Sequence, residues 1–154
     1  MKSDARRLLL VSSSGGVLLD LLALGPWWRR HRTTWAVVRA ADTMSALRDY
    51  DVRWIPECPT GRPQRLIKGF WHAARVLRSV RPEIIVSAGS GAAVPFFLVA
   101  RVLRIPCLWI STFNVVKSTG RADWLCSRLA SEVLVQRESL LATHPDAIVI
   151  GELY

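Results

Sequence analysis

Short apolar runs alternate along this chain with stretches whose apolar residues recur every three or four positions. Arg7 to Val11 is a run of strand length, Ser12 to Gly16 a Ser- and Gly-rich loop, and Val17 to Leu24 has helical spacing up to a Gly25-Pro26 stop. Thr34 to Val38 reads as a second strand. Asp42 is expected to cap a short helix through Leu47, and Val52 to Ile55 forms a third strand closed by Pro56. After a loop from Glu57 to Pro63, Gln64 to Val80 is the clearest amphipathic helix. Leu66, Phe70, Ala73, Leu77 and Val80 share one side, while Lys68, His72, Arg75 and Arg78 lie toward the other. Glu83 to Ser87 is a β-branched run with the look of a buried parallel strand. The turn Ala88-Gly89-Ser90-Gly91 follows, then a helix from Val94 to Leu103 with Pro95 in its first turn. Strands at Pro106 to Ser111, Glu132 to Gln136 and Ile148 to Ile150 complete the pattern. Between them lie a loop from Thr112 to Ala122, a helix from Asp123 to Ala130 and a helical turn or two from Glu138 to Thr143, broken by His144-Pro145.

Seven strands alternating with helices predict an α/β fold: a Rossmann-like, doubly wound parallel sheet with right-handed crossovers, formed by residues 1–154 as one domain. In such a sheet the loops after the first and fourth strands sit side by side. Ser13, Ser14, Gly15 and Gly16 on one turn, with Gly89, Ser90 and Gly91 on the other, offer hydroxyls and uncovered amides to a phosphate or a sugar hydroxyl. The competing reading is a pair of close-packed turns with no ligand. The basic loop holding Ser118, Thr119 and Gly120 could close on a phosphate or be a plain connection.

The composition narrows the classes. At 154 residues and 51% hydrophobic, the chain can bury a core. Its net charge of +9 favours anionic partners such as phosphate lipids, a membrane surface or nucleotides. Three cysteines without a CxxC pair speak for a reducing cytoplasm and against a disulfide framework or a zinc site, and no metal cluster is visible. No stretch offers the roughly 20 clean apolar residues of a membrane span, and the amino terminus makes a poor signal peptide. Trp27, Trp28, Arg29 and Arg30 form a candidate membrane-interface anchor, the other reading being one Trp in the core beside solvated arginines. The GxGxxG spacing, an acidic residue directly at the end of the second strand and a Walker lysine are all absent, which counts against NAD and P-loop chemistry. Nucleic-acid binding would rest on charge alone, so none is expected.

Several pieces together resemble a known family. They are Leu-Leu-Val-Ser-Ser-Ser-Gly-Gly at the first loop, the stretch from Arg81 through Phe96, Ser-Thr-Gly-Arg at 118–121, Leu-Val-Gln at 134–136, and His-Pro-Asp-Ala with Gly151 near the end. Their order is similar to that in the small membrane-associated subunit of the split UDP-N-acetylglucosamine transferase of dolichol-linked chitobiose synthesis. It resembles its bacterial exopolysaccharide counterparts more closely still. The resemblance implies the amino-terminal half of a GT-B glycosyltransferase, peripheral on the cytoplasmic face of the membrane. That half would recognise a polyprenyl-diphosphate-linked acceptor and form a heterodimer with a partner that binds most of the UDP-sugar; no cofactor is implied. A chain ending at Tyr154 agrees in length with such a half-enzyme.

Two positions depart from the family pattern. Its first loop usually reads Gly-Gly-His, where this chain has Val17, and its usual Glu after the fifth strand is replaced by Ser111 or Thr112. Asp20, one helical turn after Val17, is the substitute candidate for the lost His, against the plainer reading of a solvated Asp. Two functions follow: a transferase subunit working by direct displacement with a general base, and a non-catalytic membrane anchor or scaffold that recruits the donor-binding partner.

Overall fold

The computed structural model describes residues 4–57, 62–89, 91–111, 121–142 and 144–151. Seven parallel strands form one sheet: β1 (Arg7–Ser12), β2 (Arg32–Val38), β3 (Asp51–Ile55), β4 (Ile84–Ser87), β5 (Cys107–Ser111), β6 (Glu132–Val135) and β7 (Ile148–Val149), in the spatial order β3-β2-β1-β4-β5-β6-β7. The helices are α1 (Gly16–Ala23), α2 (Gly25–Trp28), α3 (Ala41–Ala46), α4 (Pro63–Val80), α5 (Ala93–Leu103) and α6 (Arg121–Leu129), and a 3-10 turn runs over Glu138–Ala142.

The sheet is buried on both faces, so its central strands need apolar residues at every position. Leu8, Leu9, Leu10 and Val11 are all fully buried. Side chains alternate across the sheet. Leu9, Val11, Ala36 and Ile85 pack with Ala73, Val76 and Leu77 of α4, Phe96, Phe97 and Ala100 of α5 and Cys126 of α6. Leu8, Leu10, Trp35, Val37 and Val86 face the other way, against Leu18 and Leu21 of α1, Trp28 of α2, and Leu47. The chain runs outward from β1 to β3, then returns to β4 on the other side of β1 and runs outward again. Right-handed crossovers in opposite directions put α1 to α3 on one face and α4 to α6 on the other. The expected doubly wound α/β sheet is therefore the observed fold.

Local details differ from expectation where tertiary contacts decide. Gly25-Pro26 does end α1, but it also opens α2, with Pro26 in the first turn where no N–H is required. Asp42 does not cap α3. The first residue before that helix is Ala40, whose methyl cannot cap; its N–H is taken instead by Thr43 Oγ1 at 2.9 Å. β2 starts two residues early, at Arg32, held by a bond from its N–H to the Arg6 carbonyl at 2.9 Å.

Candidate functional site

β1 and β4 are parallel neighbours with Val11 opposite Ser87. Strand order reverses between them, so the chain leaves β1 and β4 in opposite directions, and the place beyond their carboxyl ends is where such sheets form a ligand crevice. Two glycine turns line it. In the first, Ser12 is buried and its hydroxyl donates to the Ser13 carbonyl at 2.8 Å. Ser13 is half-buried, and Ser14, Gly15 and Gly16 are exposed. Gly15 has φ of 82°, a conformation that disfavours any side chain. In the second turn, Ser87 donates to the Gly89 carbonyl at 2.8 Å across a backbone that reaches φ of 136° at Gly89. Gly91 is half-buried and its carbonyl accepts the Val94 N–H at 3.2 Å, leading into α5. The second turn lies close to the start of α1: a β carbon added at Gly89 would lie 3.3 Å from Val17 Cγ2. The structure thus brings Ser13 to Gly16 together with Gly89 and Gly91. Ser90, Ser118, Thr119 and Gly120 lie outside the described residues.

Two expectations need correction. Asp20 is not a solvated residue: at 1% exposure it is buried in α1 together with Leu18 and Leu21. Trp28 is not a membrane anchor either. It is 2% exposed, its Nε1 donates to the Leu21 carbonyl at 2.8 Å, and its ring meets Trp35 and Tyr50 edge-on, each at 5.4 Å. Burying so large a ring with its N–H satisfied outweighs any interfacial use. Trp27 remains partly exposed against His31, Arg30 is exposed, and the Arg29 guanidinium lies 5.3 Å from the Trp28 ring centre.

Three features escaped the sequence reading. First, Asp42 sits at the crevice: its Oδ2 accepts the Gly15 N–H at 2.8 Å. Only the fold joins these residues, although the switch-point rule points to the end of β2 as a place to look. Second, α4 carries an apolar patch on its solvent side. Trp71 is 75% exposed and Ile67 60%, with Phe70 partly exposed, amid Arg65, Lys68, Arg75 and Arg78. Third, a cavity of about 460 Å³ lies between α6 and the segment before β7. On its wall the buried Asp123 accepts the Trp109 Nε1–H at 2.7 Å. Its second oxygen is 3.3 Å from His144 Nε2, without the alignment of a hydrogen bond. No described helix is long and apolar enough to cross a membrane.

No family model matches the chain. In sequence it is similar to the UDP-N-acetylglucosamine--N-acetylmuramyl-(pentapeptide) pyrophosphoryl-undecaprenol N-acetylglucosamine transferase of Nitrosospira multiformis, at 35% identity over 89 residues. That is 58% of this chain and 24% of that protein. In structure it is similar to Acinetobacter baumannii MurG, with a TM-score of 0.70 at 18% identity, covering 86% of this chain and 42% of the other. It is also similar to UDP-N-acetylglucosamine 2-epimerase from Rickettsia bellii, with a TM-score of 0.75 at 9% identity, covering 97% and 45%. The structural likenesses establish a Rossmann-like fold of the kind found in GT-B glycosyltransferases and these epimerases. The chain spans about a quarter of the transferase it matches in sequence and under half of either structure.

Proposed function

We propose that this chain is the acceptor-side half of a two-component glycosyltransferase. It would transfer a sugar, N-acetylglucosamine or another hexose, from a UDP-sugar to a polyprenyl-diphosphate-linked acceptor in polysaccharide or oligosaccharide synthesis. The observation that carries this reading is the 35% identity over 89 residues to a transferase whose name specifies a UDP-sugar and a pyrophosphoryl-undecaprenol substrate. The glycine turns at the switch point support it, because their amides and hydroxyls suit a diphosphate or a sugar. A donor-binding protein supplies the other half, and the nucleotide sugar is held mainly there.

The acceptor is a lipid, so the chain works as a peripheral protein at the cytoplasmic face. The α4 patch serves as the contact: Ile67, Phe70 and Trp71 enter the interface while Arg65, Lys68, Arg75 and Arg78 meet anionic headgroups. One observation favours the non-catalytic alternative of an anchor that recruits the partner. Val17 fills the place between the turns with a methyl group that moves no proton.

The test is co-expression with the candidate donor-binding protein, co-purification, and transfer of label from UDP-N-acetylglucosamine and other UDP-hexoses to polyprenyl-diphosphate acceptors. Transfer that requires both proteins supports the half-enzyme. A stable complex that transfers nothing leaves the anchor, and no complex overturns both.

A further inference from the structure

Direct displacement at a sugar needs a group to take the acceptor's hydroxyl proton, and Val17, where the family pattern has His, supplies none. Asp20 is buried in α1. The remaining titratable groups near the carboxyl edge of the sheet are few. Glu57 follows β3 at the sheet's edge, and Glu138 follows β6, two strands beyond β4. Asp123 is buried and tied to Trp109 and His144. The segments 58–61 and 112–120 contain no Asp, Glu or His, and Glu152 follows β7, the edge strand three places from β4.

Asp42 differs from all of these. β2 lies next to β1, and the turn after it brings Asp42, exposed in the first turn of α3, onto the first glycine turn. One carboxylate oxygen holds the Gly15 N–H at 2.8 Å, which fixes the side chain at the crevice. Among the described residues no cation pairs with it and its second oxygen has no partner. It is an exposed ionisable acceptor, oriented by a backbone amide of the first glycine turn, beside the carboxyl end of β1.

Resting on the half-enzyme reading above, we infer that Asp42 is the general base of the transfer reaction. The acceptor hydroxyl gives its proton to the Asp42 carboxylate as its oxygen bonds to the anomeric carbon of the donor sugar. The bond from that carbon to the diphosphate breaks at the same time, and UDP leaves with the electron pair. The Gly15 N–H is a positioning group that keeps the carboxylate aimed.

Asp42→Asn separates the chemistry from the scaffold. The amide oxygen can still accept the Gly15 N–H, so the turn and its ligand contacts persist, but the side chain no longer accepts a proton. The experiment measures transfer by the complete two-protein complex on a polyprenyl-diphosphate acceptor across a pH series, for the wild type, Asp42→Asn and Asp42→Glu. The expected result is a fall in kcat of about 10²- to 10⁴-fold for Asp42→Asn with acceptor KM changed less than threefold. The decline of the wild-type rate toward acid pH should disappear in this variant, and Asp42→Glu should recover part of the rate. An Asp42→Asn complex within threefold of wild type with the same acid decline overturns the inference and moves the base elsewhere, the donor half included. A loss carried by KM alone also overturns it, and leaves Asp42 a loop clamp. A wild-type complex that transfers no donor sugar overturns the half-enzyme reading, and the inference with it.

Discussion

Single residues set the crevice, and Gly89 is the most constrained of them. Its φ of 136° is costly for any residue with a β carbon, and the added carbon would press on Val17 at 3.3 Å. Gly89→Ala should therefore lower stability by about 1–3 kcal/mol, measured by thermal or urea unfolding. Adding Val17→Ala should restore only part of this, because the backbone strain stays. The cysteines supply a second prediction. Burial pushes the Cys107 thiol up to about 12, and burial first, then the neighbouring Cys107 and Asp123, pushes Cys126 up as well. Both should resist alkylation at pH 8 until the protein unfolds, as read by peptide mass spectrometry. The unfolded thiols ionise from about pH 9 while the folded ones stay protonated, so alkaline conditions above that value should favour unfolding.

Elements are where the sequence was most readable and where its limits are clearest. Leu8 to Val11 and Ile84 to Val86 announce buried parallel strands because both faces of the sheet are covered, so no polar residue interrupts them. The two serine- and glycine-containing turns were legible for the same local reason. The Asp42 contact with Gly15 was not, since it joins residues 27 apart through the pairing of β1 with β2. Trp28 looked interfacial beside Arg29 and Arg30, and only the Trp35 and Tyr50 rings across the packing interface explain its burial. On α4 the helical period was plain, but the partly exposed position of Phe70, expected in the core, and the exposure of Trp71 depend on where α5 packs. Helix ends offer a test at this scale. α4 and α5 both close on arginines in the left-handed region, Arg81 at φ 49° and Arg104 at φ 57°. Arg81 also holds the Arg7 side chain through its carbonyl, whereas Arg104 is simply exposed. Arg104→Gly should relieve about 1 kcal/mol of strain and raise the melting temperature by about 2–4 °C.

For the whole molecule, charge and apolar exposure combine on α4. The chain's net charge of +9 gives a general attraction to anionic surfaces, but Ile67 and Trp71 give it a direction. Co-sedimentation with vesicles containing anionic lipid should be strong at low salt and weaken as salt rises. Replacing Ile67 and Trp71 with serine should reduce it at least tenfold, since each loses an apolar contact worth over 1 kcal/mol. A Trp27→Ala variant should bind nearly as the wild type does. Neutral vesicles should bind poorly, because the headgroup attraction of the four basic residues on α4 would be missing.

The position of β1 also has a consequence for synthesis. It pairs on one side with β2, about 25 residues later, and on the other with β4, near residue 84; the Arg7 N–H bonds a Glu83 oxygen 76 positions on. At about 5–20 residues per second of translation, this strand waits roughly 4–15 s for its second neighbour. During that interval Leu8 to Val11 has one unpaired edge and lacks the cover that α4 and α5 later provide. A growing chain should stay sensitive to protease, and should hold a chaperone that recognises apolar strands, until β4 has left the ribosome. Ribosome-stalled chains of increasing length would show protection of this segment arriving in one late step.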